Sequence, residues 1–149
     1  MKCRLQNFCC AVALTLLLGG MALALEPTAE ELKARFASTS IGDRPHLCVQ
    51  IARQQEAASN KLYASNDFEK AQAALTDVVA YSELARDYAV QSHKYQKQTE
   101  IAVREFERKL GDLMRTLPKE DQAPVSDAIK RLQRVRDDLL SAMFPKGAK

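Results

Sequence analysis

The chain has 149 residues and a formal net charge of +3, with 46% hydrophobic and 28% charged residues. One domain fits that length, and this much apolar surface excludes a globally disordered chain. Five Gly, five Pro, no Trp and 6% aromatics argue against β-sandwiches and barrels, which draw on many turns and on aromatic or β-branched strands.

Residues 1–24 read as an export signal. Lys2 and Arg4 form a basic start, an apolar run follows from Ala11, and Ala22-Leu23-Ala24 supplies the small residues of a cleavage site. Phe8 to Leu25 is 18 residues without a charge, short of the roughly 20 a spanning helix needs, and Gly19-Gly20 weakens an anchor further. Cys9 and Cys10 precede the apolar run, whereas a lipid-bearing Cys would follow it. Cleavage after Ala24 leaves 125 residues at +1, because Lys2 and Arg4 depart, and Cys48 is the one cysteine that stays. A near-neutral chain has no global field to draw it to nucleic acid. A lone Cys in an exported protein is either buried or paired between chains. The expected location is the bacterial periplasm or the exterior, with no stable membrane insertion after cleavage.

Residues 25–43 are expected to form a short capped helix and a loop. Thr28 and Glu31 have capping-box spacing, and Glu31 and Arg35 stand at i, i+4. A helical domain follows over 44–144, with a frayed tail at 145–149. Asp43 and Pro45 mark a helix start, and Leu47, Ile51, Ala58 and Leu62 give that helix an apolar face as far as about Ala64. Ser65-Asn66-Asp67 is a turn, with Asp67 placed to cap the next helix.

From Phe68 to Leu110 there are 43 residues without Gly or Pro. Phe68, Ala71, Leu75, Val78, Ser82, Ala85, Ala89, Ser92, Gln96, Thr99, Val103, Phe106, Leu110, Leu113 and Leu117 alternate three and four apart, a heptad-like seam. A single helix from Asp67 to Leu117 would be roughly 75 Å long. After Pro118, a last helix from about Gln122 to Phe144 points Val125, Ile129, Leu132, Leu139 and Met143 inward. The fold class is all-α: antiparallel hairpins sharing one long central helix, or a compact three- to four-helix bundle if that helix bends at its polar waist, Ser92 to Thr99.

Ser59, Leu62, Phe68, Ala71 and Leu75, within about residues 45–80, resemble one degenerate tetratricopeptide-like helical hairpin. The resemblance implies a close helical pair and an interaction role. Beyond it the chain resembles small exported helical proteins of bacteria.

Catalytic chemistry finds little to work with. His46-Leu47-Cys48 places two possible ligands at i, i+2, pointing apart on a helix, so no metal site is expected. No Cys-x-x-Cys-His is present, which excludes covalent haem. Asp137-Asp138 diverge around a helix, and the two His lie on different segments, so no nucleophile and base assemble. Gly42, Gly111 and Gly147 form no phosphate cradle. The expected function is therefore an exported scaffold or interaction protein, not an enzyme, without cofactors, whose partner is a protein, including a second copy of itself. Tyr81, Tyr88 and Tyr95 recur every seven residues. Tyr88, Ser92, His93, Tyr95 and Thr99 mark the expected contact segment, because Tyr joins apolar area to a hydroxyl. Lys130, Arg131 and Arg134 form a basic patch. Two other functions are open: a small-ligand or non-covalent haem-binding bundle using His93 with Met114 or Met143, and a periplasmic chaperone that clasps clients between helical arms.

Overall fold

The computed structural model describes residues 27–145. The expected export signal, residues 1–24, and residues 146–149 of the expected tail lie outside the described residues. Within them are five α-helices and no strand. None of these helices is long and apolar enough to cross a membrane.

Helix α1, Ala29–Arg35, starts on the capping box. The Glu31 N–H donates to Thr28 Oγ1 at 3.3 Å, and the Thr28 N–H donates to the Glu31 carboxylate at 2.9 Å. Glu31 is thereby occupied at the cap, and the expected pairing with Arg35 does not form. Leu32 packs with Leu47 and Ile51 in a small cluster. Lys33 reaches Asp77 at 3.0 Å, fastening α1 across the bundle. A 3-10 turn at Phe36–Ser38 and a loop lead to α2, Arg44–Ala64, with Pro45 in its first turn. Asp43 accepts a hydrogen bond from the Ser40 hydroxyl at 2.7 Å instead of capping the backbone. Asn66, with φ of 59°, turns the chain into α3, Phe68–Ser92.

The expected helix from Asp67 to Leu117 is two helices. It breaks at His93 and Tyr95, whose φ values of 55° and 60° are left-handed, and resumes as α4, Gln96–Thr116. The bent alternative is the observed fold, and the long shared helix is not. Left-handed backbone on a side-chain-bearing residue costs roughly 1–2 kcal/mol, so the surroundings must hold it. The Tyr95 ring lies 5.8 Å from that of His46. Ser92 Oγ donates to the Tyr88 carbonyl at 2.6 Å and accepts the Lys94 N–H at 3.3 Å. The Lys94 side chain crosses Gly42, where an added methyl would stand only 3.1 Å from its Cδ. Residues Leu117 to Asp121 then lead into α5, Gln122–Met143.

Helices α2 to α5 form an up-down bundle in which chain neighbours run antiparallel, while α2 and α4, and α3 and α5, run side by side in the same direction. Going round it, α2 packs on α3, α3 on α5, α5 on α4, and α4 on α2. Phe106, Leu110, Val125, Leu132 and Leu139 are fully buried at its centre, while Ala52, Ala71, Ala85 and Ala89 let the backbones approach. Ser59 and Ala71 are likewise fully buried in the α2–α3 hairpin, and Phe68 meets Tyr63 edge-on at 6.0 Å. These are features of close helical hairpins in general, and nothing in the pairing is specific to the tetratricopeptide pattern.

Candidate interaction site

One end of the bundle collects the start of α2, the end of α3, the start of α4 and the end of α5. Apolar side chains remain in water there. Ile41 is 48% exposed, Val90 36%, Ile101 44% and Phe144 71%. Among the described residues, the fifth large exposed hydrophobic is Leu84, lower on α3. Scattered exposed apolar residues are ordinary on any surface. Their gathering at one end is the signal that marks contact sites.

The expected contact residues sit at or near this end, but not alike. Tyr88 is half-buried and serves as a fastener: its ring packs 5.8 Å from Phe36, the Arg44 guanidinium covers it at 5.2 Å, and Arg44 donates to its hydroxyl at 3.2 Å. Ser92 is half-buried in the turn and His93 is exposed. Tyr95 is half-buried against His46. Thr99 is only 1% exposed, and its hydroxyl is enclosed without a partner, so it cannot meet another molecule directly while this fold is closed. Glu100, also buried, accepts from Arg104 at 3.4 Å.

The basic patch is largely neutralised. Lys130 pairs with Asp127 at 3.4 Å, Arg131 with Glu83 of α3 at 2.9 Å, and the neighbouring Arg136 with Glu107 at 3.0 Å. Arg134 is left exposed without an ion pair among the described residues. Burial pushes the Glu107 carboxyl up despite Arg136, and its Oε1 has no partner.

A second feature lies between α2 and α4. The stripe Cys48, Ala52, Glu56, Ser59 and Tyr63 is buried, and it puts a carboxylate inside. Glu56 is 1% exposed; Lys109 of α4 reaches it at 3.1 Å, and Asn60 donates to it. Burial works against the Lys109 charge, yet its bonds to Glu56 and Glu105 hold the ammonium pKa above its ordinary value. This cluster forms one wall of a groove of about 580 Å³ that also takes in Ala57, Leu113 and Thr116. Ser59 Oγ, Asn60 Oδ1 and the Tyr63 hydroxyl are enclosed nearby without partners, and burial raises the Tyr63 phenol.

Sequence periodicity missed this cluster because it followed Leu47 and Ile51. That face of α2 is buried too, but under α1. The signal was present one residue further round, in the 4-4-3-4 spacing from Cys48 to Tyr63. Ile41, Ile101 and Phe144 carried no local signal, since their gathering depends on where the helices end. Haem ligation by His93 with Met114 is incompatible with the fold: the last turn of α4 lies about 30 Å along the helix from the turn that holds His93. Comparison with protein-family models, curated proteins and solved structures finds no match.

Proposed function

We propose that this chain is an exported helical interaction protein that acts by contact through the end of its bundle. The observation that carries this reading is the exposure of Ile41, Val90, Ile101 and Phe144 on the four segments that meet at the end of the bundle holding Tyr95. The same end carries the exposed Lys94, Lys97 and Asp43, and a contact patch joins apolar side chains to polar surroundings of this kind. Residues 1–24 support the export part of the reading by their basic, apolar and small-residue succession. A photo-crosslinking residue at Tyr95, expressed in the intact cell, should trap a discrete protein adduct, whereas one at Lys119 on the opposite end should not. Equal trapping at the two sites, or none at Tyr95, overturns the proposal.

A second reading, a small-ligand bundle, is favoured by the α2–α4 groove. Its volume is in the range of small-molecule sites, and Ala57 and Leu113 stand there among Glu56, Asn60, Lys61, Lys109, Asp112 and Thr116. A small amphipathic molecule with a hydrogen-bonding head fits that lining. Such a ligand should raise the melting temperature of the native chain and lose its effect in Asn60→Ala.

A further inference from the structure

The turn between α3 and α4 is built from residues suited to a helix, held in a backbone that suits glycine. Ser92-His-Lys-Tyr-Gln96 contains no Gly or Pro, yet His93 and Tyr95 are both left-handed. A short hinge under strain favours the exchange of whole elements between copies.

The buried seams on either side of the hinge are in phase. Ala85 and Val103 are both fully buried and stand eighteen residues apart, about five turns of straight helix. A closed turn has no need of that match. A continuous helix requires it, because both of its halves must then face cores that lie along one axis.

The ties between the two hairpins also survive an exchange. Arg53–Glu105, Glu56–Lys109, Glu83–Arg131 and Arg86–Asp138 all join α2 or α3 to α4 or α5. Each would re-form between copies. What straightening gives up is local: the His46–Tyr95 ring contact and the passage of Lys94 over Gly42.

We propose that two copies exchange hairpins to form a domain-swapped dimer, in which residues 68–116 run as one helix. Each bundle then contains α2 and α3 of one copy with α4 and α5 of its partner. The inference rests on the contact function of this end and names a second copy as its occupant. The two apolar ends, with Ile41, Val90, Ile101 and Phe144, face each other at the centre of the dimer. Ser92, Gln96 and Thr99 line the crossing of the two long helices, where the enclosed Thr99 hydroxyl gains neighbours from the partner.

The test uses the chain carrying Arg53→Cys and Glu105→Cys, with Cys3, Cys9 and Cys10 changed to Ser, bridged by a short bismaleimide after separation by size. Cys48 is fully buried and does not compete. In the swapped dimer the bridge joins two chains, and a denaturing gel shows a covalent dimer. Small-angle scattering should give that fraction a dimension set by a helix of about 75 Å. His93→Gly with Tyr95→Gly, which relieves the turn and weakens the long helix, should lower the dimer fraction at least tenfold while leaving the helical circular dichroism intact. His93→Ala with Tyr95→Ala should raise it. A dimer whose bridges stay within each chain overturns the swap but keeps end-to-end contact. A chain that stays monomeric at millimolar concentration overturns the swap, and the Tyr95 crosslink then decides whether the end still binds another protein.

Discussion

Cys48 and Glu56 are one helical stripe apart in role. Cys48 is fully enclosed, and burial pushes its thiol from 9.0 up to about 12. Its thiolate is therefore scarce in the folded chain, so native protein should resist a maleimide at pH 8 and react once unfolded. The same shift makes a pH prediction. The folded pKa is above the unfolded one, so the stability tied to the neutral thiol is complete below pH 9 and is lost as pH rises towards 12. Chemical denaturation between pH 8 and 11 should show the loss, and Cys48→Ala should flatten it. Glu56 depends on its partner instead. Lys109→Met strands a buried carboxylate and should cost about 3 kcal/mol. Glu56→Gln should cost less, about 1 kcal/mol, because Lys109 is one-third exposed and keeps Glu105 at 3.3 Å. Equal losses in urea titrations would mean that the pair is not buried as described.

At the level of the helices, small residues decide how closely they approach. Ala85 has no exposed surface and lies on the α3 seam, so Ala85→Leu must push α3 away and should cost about 1–3 kcal/mol. Ala80→Leu, on a half-buried position of the same helix, should cost much less; a shared thermal scan checks both. The seam that names Ala85 was legible in the sequence. From Ala71 to Ala89 and from Thr99 to Leu110, the three-four alternation found the buried faces of α3 and α4, because periodicity records which side of a helix meets a core. The break between them was hidden. A left-handed turn is normally marked by Gly or Asn, and here tertiary contacts around His93 and Tyr95 impose it on residues that favour continuation. The last helix shows the same division. Leu132 and Leu139 were apparent as inward residues, but Ala128 and Val135, buried as well, depended on the second neighbour that α5 finds in α3. The apolar end was half legible, through Tyr95 and its neighbours. Its apolar members come from four separate segments that only the finished fold brings together.

The described residues present an apolar end and a groove between α2 and α4 on a surface crossed by paired charges. Arg86 joins α3 to α5 through Asp138 at 2.8 Å, and Arg53 joins α2 to α4 through Glu105 at 3.3 Å. These pairs are partly exposed, so each contributes roughly 0–1 kcal/mol and mainly sets register. The whole chain also tests the export reading. Mass spectrometry of protein recovered from the cell envelope should find a first residue of Leu25, and an intact Met1 would remove that reading.

The two largest helix contacts, α2 with α3 and α4 with α5, join neighbours in the chain. Each hairpin closes a short loop and should form fast, since local contacts favour rapid folding. Docking of the two preformed halves is then the only stage at which another molecule can compete. Its outcome becomes a kinetic race between a first-order and a second-order event. Dilute refolding should return monomer, and concentrated refolding should trap dimer that persists after dilution, because release requires a bundle to come apart.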